Sequence, residues 1–188
     1  MIHAGTVVRV CWAVLGIYWA LSAVGTKKVA VNENAGLRVF RLAMLVLMFV
    51  LLGTDWARLG PLGQRFLRRH SNVEWLGVAL TAAGIALAIW ARRTLGRNWS
   101  DKVVLKVDHE LIGSGPYRYL RHPIYGGVLL AMAGTVLTIG EWRGVLALAV
   151  LSVNYYVKAR REERILAANF GEAFAEHKQR TGFFLPGL

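Results

Sequence analysis

The sequence predicts an all-α integral membrane protein with about five transmembrane helices. Of its 188 residues, 55% are hydrophobic and only 18% are charged, against roughly 45–50% and about 25% in an ordinary soluble domain. The chain carries 23 Lys and Arg against 11 Asp and Glu, which gives a formal net charge of +12. Because these basic residues flank long apolar runs, they indicate an anionic membrane surface as partner and exclude nucleic-acid binding.

Three uncharged runs in the N-terminal half predict the first helices. A helix needs about 20 apolar residues to cross the hydrocarbon core, and residues 10–26 and 75–91 are uncharged for 17 residues each. Residues 42–54 form an uncharged run of only 13 residues. This run reaches spanning length when Arg38 and Arg41 lie in the first turn of the helix and extend toward the headgroups. A cleaved signal peptide is the alternative interpretation of the first run.

The last two uncharged runs predict a helical hairpin. Residues 123–140 and 144–157 are uncharged over 18 and 14 residues, and only residues 141–143 separate them. Runs of about 10–14 residues are ambiguous on length alone. The second and fifth runs are therefore either transmembrane helices or re-entrant or buried ones.

The loop charges predict that the N-terminus lies outside and the C-terminus in the cytoplasm. In this orientation the cytoplasmic loops hold 17 Lys and Arg and the outer loops hold 6, as the positive-inside rule requires. The arginines of segment 65–69 lie on the outer side against this bias, which indicates an interfacial turn or a miscounted helix. The polar stretches 96–122 and 158–182 then share the cytoplasmic side, where a site can be built.

Turn residues and two cationic side chains precede the fourth run. Residues 113–116 read Gly-Ser-Gly-Pro, which forces turns and, at Gly115, lets the backbone approach a ligand closely. Pro123 starts the helix, where its missing amide proton costs no hydrogen bond. The helix dipole favours an anion beside Arg121 and His122. Each residue alone is explained by membrane anchoring or packing, and it is their combination that predicts a binding site.

An amphipathic helix follows the fifth run. Leu166, Phe170 and Phe174 recur at helical spacing, so they form an apolar stripe that lies on the membrane or caps the bundle. Glu162 and Glu163 lie at the mouth of the last span, and an acid pair at that depth requires a cationic partner. The alternative is a solvated face with local ion pairs.

Together, these stretches resemble the isoprenylcysteine carboxyl methyltransferase family, integral-membrane enzymes related to the phospholipid methyltransferases. The segments that carry the resemblance are 111–117, 121–126, 162–166, 170–171 and 185–186. It covers about half of the chain, while the first three runs match only in being apolar. We therefore divide the chain into three N-terminal transmembrane helices, residues 1–95, and a catalytic part, residues 96–188. The catalytic part comprises the C-terminal helical hairpin and a cytoplasmic cofactor-binding cap.

The resemblance implies an enzyme that uses S-adenosyl-L-methionine to methylate a lipophilic or membrane-associated acceptor. The acceptor is an isoprenylcysteine-like carboxylate, a thiol or a lipid headgroup, reached from the bilayer. To the cofactor contacts that the resemblance implies we add the turn glycine. The predicted cofactor-binding residues are His109, Glu110, Leu111, Ile112, Gly115, Tyr117, His122, Pro123, Ile124, Tyr125 and Glu162. No metal site is predicted.

Lys158, Arg121 and Glu163 are the predicted catalytic residues. At the position of Lys158 the family has an arginine that engages the substrate carboxylate, and Lys lacks the bidentate fork of Arg. Arg121 supplies a cation at the start of the fourth helix, and Glu163 belongs to the acid pair. Because methyl transfer is an in-line displacement, such a site mainly aligns the reacting groups.

Two other functions stay open. A membrane sterol-type reductase that uses NADPH shares a similar hairpin and an Arg-His-Pro-like segment, but the Gly-Pro-Tyr form and the acid pair favour methyl transfer. A non-enzymatic membrane binding or transport protein is the other alternative, although transporters usually show internal repeats and this sequence shows none. The sequence determines neither the methyl acceptor nor the oligomeric state.

Overall fold

A computed structural model of the protein describes residues 3–22, 35–53, 60–96 and 111–187. Over these residues the chain is all-α, which confirms that part of the predicted fold class, and it forms five helices and no β-strand. The helices are α1 (Ala4–Ser22), α2 (Ala35–Gly53), α3 (Ser71–Leu95), α4 (Pro123–Ile139) and α5 (Trp142–Arg180). Each helix contains most of one uncharged run of the sequence.

The helices differ from the runs mainly at their ends, because a lack of charge marks the apolar part of a helix rather than its limits. Helix α1 starts before Arg9, whose exposed guanidinium donates to Thr6 Oγ1 over 3.3 Å. Helix α4 ends at Gly140, which has the left-handed φ of 64° that glycine adopts readily. Helix α5 begins two residues later, so the predicted hairpin is present.

Two of the described helices, α1 and α3, are long and apolar enough to cross a bilayer, while α4 is apolar but has only 17 residues. The number of five transmembrane helices therefore stays a prediction. The outer helix faces expose large apolar side chains, including Ile17, Val46 and Val153. Soluble monomers rarely expose apolar patches of this extent, so these faces suit a lipid environment.

Helices α3 and α4 form an antiparallel pair whose main chains touch. Gly77 and Gly84 of α3 face Gly134 and Gly127 of α4. A Cβ atom at Gly77 would lie 2.5 Å from the Gly134 carbonyl oxygen, and one at Gly127 would lie 2.7 Å from the Gly84 carbonyl oxygen. Small residues permit this close approach, as they do between helices in membranes. We call these four residues the glycine seam.

Hydroxyl groups add hydrogen bonds around the glycine seam. Thr81 Oγ1 of α3 donates to the Ala131 carbonyl of α4 over 3.1 Å. Helix α1 joins the same region, because Trp12 Nε1 donates to Thr135 Oγ1 over 2.9 Å. These buried polar groups satisfy one another inside an otherwise apolar core.

Two buried arginines bind carbonyl groups at helix C-termini. Arg92 of α3 donates to the carbonyl of Ser22, the last residue of α1. Arg143 of α5 donates to the Leu51 carbonyl near the end of α2 over 3.1 Å. Such carbonyls lack partners within their own helix and carry partial negative charge. The ends of α1 and α3 therefore lie together, at the end of the bundle where α4 begins.

The arginines of segment 65–69 follow a short 3₁₀ turn, Gly60–Gly63. Arg65 Nη1 donates to the Ile139 carbonyl at the end of α4 over 2.8 Å. Of the two interpretations of this segment, the structure shows a turn rather than a helix. One of its cations serves to cap α4.

Candidate active site

The two polar stretches meet at the end of the bundle where α4 begins. Arg121, just before α4, donates from Nε to Glu163 Oε1 of α5 over 2.7 Å. Both side chains are largely buried. Residues 42 positions apart in sequence are thus joined directly, which agrees with the expectation that the polar stretches share one side.

A cavity lies between the loop that precedes α4 and the second half of α5. Its enclosed volume is about 70 Å³, smaller than the roughly 300–1,000 Å³ of ordinary ligand sites, and it is partly open to solvent. Its walls combine aliphatic and aromatic groups with a few polar ones. The lining residues are Leu95, Leu111, Ile112, Tyr117, Arg121, His122, Leu166, Phe174 and His177. This composition suits a flat ring with polar substituents.

The sequence-predicted residues fall into three groups by place. Those in the cavity wall are Leu111, Ile112, Tyr117, Arg121 and His122. Those in the turn or helices directly behind the wall are Gly115, Pro123, Ile124, Tyr125, Lys158, Glu162 and Glu163. His109 and Glu110 lie outside the described residues.

His122 stands between the two predicted acids and faces the cavity. Its Nδ1 lies 3.6 Å from Glu162 Oε2 and its Nε2 lies 3.6 Å from Glu163 Oε1. The ring is buried, and Nε2 makes no hydrogen bond to any described residue. The buried imidazole therefore links both carboxylates to the cavity wall.

Arg121 and Glu163 tie three segments together. Besides its bond to Glu163, Arg121 donates from Nη1 to the carbonyls of Lys178, over 3.1 Å, and of Thr181. Burial alone would raise the pKa of the Glu163 carboxyl, but His122 and Arg121 beside it lower that pKa to about 2. The pair is therefore ionised at neutral pH and holds the residues before α4, α5 and the C-terminal segment in one arrangement.

Tyr125 orients the other acid. Its hydroxyl donates to Glu162 Oε1 over 2.6 Å. Its ring is nearly parallel to the rings of His122 and Tyr155, with centroids 5.6 Å and 4.7 Å away. Lys158 Nζ lies 5.4 Å from the same ring, within reach of a cation–π interaction. Glu162 and Lys158 thus both contact Tyr125, which connects the two predicted residues.

The C-terminal segment closes the site from one side. The His122 amide donates to the Phe183 carbonyl over 3.2 Å, and the Phe183 ring lies 5.0 Å from the His122 ring. A Cβ atom at Gly126 would lie only 2.7 Å from the Phe184 carbonyl oxygen. Glycine at this position therefore allows the segment to dock against α4.

Helix α5 breaks at Gly171, where φ is 49° and ψ is −118°. Residues other than glycine avoid this conformation. Phe174 and His177 follow the break and line the cavity together with Leu166, whereas Phe170 is not among the lining residues. The predicted apolar stripe therefore covers the cavity in part, and it does not run along one straight helix as the regular spacing implied.

Sequence reasoning missed Leu95 and His177 as cavity residues. Leu95 ends an apolar helix like any other leucine, so it gave no signal. His177 stands among exposed charged residues of a stretch that looked solvated. Burial, followed by the charge of Arg121, lowers the pKa of His177, so its imidazole is neutral at pH 7. The Phe-Gly pair at 170–171 was the one signal that the helix could turn there.

The family model described as phospholipid methyltransferase matches residues 73–173, more than half of the chain. Protein-S-isoprenylcysteine O-methyltransferase B of Arabidopsis thaliana is 27% identical over 123 residues, which cover 64% of this chain and 62% of that relative. Methanethiol S-methyltransferase 1 of Bradyrhizobium diazoefficiens is 37% identical over 71 residues, 37% of this chain and 24% of the relative. The chain thus spans less than two thirds of the length of these relatives.

The fold is also similar to a solved structure, that of the eukaryotic intramembrane Ras methyltransferase isoprenylcysteine carboxyl methyltransferase. The TM-score is 0.55 at 20% identity, over 84% of this chain and 55% of that chain. The family match contains the Arg121–Glu163 pair, His122 and Tyr125, and it confirms the resemblance found in the sequence. The chain therefore belongs to the phospholipid methyltransferase family.

Proposed function

We propose that the chain is an S-adenosyl-L-methionine-dependent membrane methyltransferase with a lipophilic or membrane-associated acceptor. The observation that carries the proposal is the polar cluster at the end of the apolar helices, where Arg121 and His122 line a cavity and contact Glu163 and Glu162. Membership in the methyltransferase family supports the reaction class. The exposed apolar faces of the helices support the membrane setting.

The residues around the cavity fit the proposed cofactor by chemical type. A purine ring matches the apolar groups of Leu111, Ile112 and Phe174. The carboxylate of Glu162 lies behind His122 and suits a cationic ammonium or sulfonium. His122 contributes its ring to the wall. When bound, the cofactor supplies an electrophilic methyl group.

The side chains of this protein act by positioning and by excluding water. Tyr125 holds the Glu162 carboxylate, and the His122 ring lies against both acids, so the polar wall is oriented in advance. The Arg121–Glu163 pair keeps the C-terminal segment closed over the site. We therefore assign these two residues a positioning role. Exclusion of water by bound cofactor and acceptor would strengthen the remaining electrostatic contacts, and alignment itself contributes much of the rate acceleration of methyl transfer.

Lys158 is the residue that we assign to acceptor recognition. It is buried one helical turn before Glu162 and contacts Tyr125 on the side toward the apolar part of α5. An acidic or thiolate acceptor that arrives from the bilayer would meet this cation. The names of the two relatives specify O-methylation of isoprenylcysteine and S-methylation of methanethiol. Lipophilic carboxylates and thiols are therefore the first acceptors to test.

Cofactor binding is tested by calorimetry with S-adenosylhomocysteine on the purified full chain. We expect Glu162→Ala to weaken binding about tenfold or more, because its carboxylate accepts from Tyr125 and adjoins His122 in the cavity wall, and a charged hydrogen-bond partner contributes roughly 1.5–3 kcal/mol. Glu172→Ala is the matched control, since Glu172 is exposed on the same helix beyond Gly171, and it should bind as the unmodified protein does. Unchanged affinity in Glu162→Ala would remove Glu162 from the site. Binding of NADPH in place of S-adenosylhomocysteine would replace the proposal with the reductase alternative.

A further inference from the structure

Along one face of α5, the exposed side chains change from apolar to aromatic to cationic toward the site. Val153 is 61% exposed and Tyr156 is 53% exposed. One turn later, the side chain of Arg160 is 50% exposed, and Arg164 is exposed as well. Because these residues are three or four positions apart, they share a face. The seven positions from Val153 to Arg160 rise about 10 Å.

Helix α3 shows the same change from aromatic to cationic exposed side chains at the same end of the bundle. Trp90 is 52% exposed, and Arg93, one turn closer to the end of the helix, is exposed too. In membrane proteins, aromatic side chains lie at the interface and basic ones reach the headgroups. The exposed side chains of two separate helices therefore indicate that the lipid headgroups lie at the level of Arg93 and Arg160.

The acids near this surface neutralise it only in part. Glu162 accepts from Tyr125, and Glu163 is held by Arg121 on the side of the cavity. Arg160 approaches Glu163 Oε2 at 3.4 Å but keeps half of its own surface open. Arg164 makes no ion pair with a described residue, so an outward-facing pair of guanidinium groups remains beside the cavity.

We propose that Arg160 and Arg164 bind phosphate groups of anionic phospholipids and thereby hold the cavity at headgroup depth. The proposal rests on the proposed membrane setting and does not depend on methyl transfer. A guanidinium matches phosphate oxygens with two parallel hydrogen bonds. The apolar residues that precede these arginines on the same face would contact the acyl chains of the same leaflet.

The test measures thermal unfolding of the purified full chain in neutral detergent with added phosphatidylglycerol or phosphatidylcholine. We expect phosphatidylglycerol to raise Tm more than phosphatidylcholine does. Each basic residue near an anionic surface contributes roughly fivefold in affinity, so Arg160→Gln with Arg164→Gln should weaken phosphatidylglycerol binding by about tenfold or more. The matched control is Arg68→Gln with Arg69→Gln, two exposed arginines at the other end of the bundle, which should keep the preference.

Equal stabilisation by the two lipids would overturn the proposal, as would an equal loss in the control variant or the same stabilisation by inorganic phosphate. If the double variant does not fold, the single variant Arg164→Gln is used to test the lipid preference, because it leaves the contact between Arg160 and Glu163 intact. Binding of S-adenosylhomocysteine is measured on the same samples. If the protein binds S-adenosylhomocysteine but shows no preference for phosphatidylglycerol, only the lipid proposal is contradicted. If it prefers phosphatidylglycerol but does not bind S-adenosylhomocysteine, only the methyltransferase proposal is contradicted.

Discussion

At the scale of single residues, Glu163 connects the interior of the bundle to the wall of the cavity. Its buried carboxylate accepts from Arg121, and Arg121 also donates to the carbonyls of Lys178 and Thr181. Removal of one member of a buried ion pair leaves the other charge uncompensated, which typically costs about 3–5 kcal/mol. Glu163 therefore helps to hold the C-terminal segment, together with the backbone hydrogen bond from His122 to Phe183.

We expect Glu163→Gln to lower the free energy of unfolding by about 3 kcal/mol at pH 7. The folded-state pKa of about 2 lies below the ordinary value of 4.5, so below pH 5 the unfolded chain binds more protons than the folded one. The stabilisation by Glu163 is therefore complete above about pH 5 and is lost as the pH falls toward 2. Unfolding curves of both proteins at pH 7 and pH 3.5 measure this difference.

The difference between the two proteins should shrink at the lower pH. Glu172→Gln, an exposed acid on the same helix, should show no comparable change at either pH. A difference of constant size at the two pH values would mean that the carboxylate charge does not stabilise the fold.

The sequence predicted His122, Tyr117 and Arg121 as site residues because turn residues, a helix start and basic side chains lie next to one another in the chain. It did not predict that His177 belongs to the site, and it did not predict the contact between Arg121 and Glu163. Those features depend on how the C-terminal segment folds back, which is a long-range property without a local pattern. Their place in the cavity wall became visible only in three dimensions.

At the scale of elements, the contact between α3 and α4 is the most restrictive part of the bundle. The glycine seam brings carbonyl groups of one helix against Cα atoms of the other. Backbone atoms cannot move aside as a flexible side chain can. We therefore expect even one added Cβ atom in the glycine seam to destabilise the contact between the helices.

We expect Gly127→Ala to destabilise the protein by about 1–3 kcal/mol, the usual cost of overpacking. The new Cβ atom would lie 2.7 Å from the Gly84 carbonyl oxygen and 2.8 Å from the Ala88 nitrogen. The matched control is Gly16→Ala in α1, where nothing lies within 4 Å and alanine favours the helix. Thermal unfolding in detergent should show a lower Tm for Gly127→Ala alone, and equal Tm values would contradict direct main-chain contact.

The break at Gly171 makes α5 serve two purposes, since its first part packs in the bundle and its last part forms a wall of the cavity. Gly171→Ala either strains the backbone, at about 1–3 kcal/mol, or straightens the helix and moves Phe174 and His177 away. Either change should weaken S-adenosylhomocysteine binding about tenfold in calorimetry. Gly16→Ala should leave the affinity unaltered, and normal affinity in Gly171→Ala would show that the bend is unnecessary for the site.

At the scale of the whole molecule, the sequence predicted five helices in the right places and a polar end where two distant stretches meet. Hydrophobicity has a strong local signal, so the apolar runs located each of the five described α-helices. The limits of the helices were less predictable, since α5 continues through charged residues as far as Arg180. The buried partners of Arg92 and Arg143 were likewise hidden, because an arginine that caps another helix looks the same in sequence as one in solvent.

The glycine seam also limits how an acceptor can reach the cavity. Helices that touch through their backbones along Gly77, Gly84, Gly127 and Gly134 leave no crevice for an acyl tail, and separating them would break the tightest contact in the bundle. The lipophilic acceptor that we propose would therefore enter along another flank, and crosslinking with photoreactive lipid analogues should label residues away from this interface.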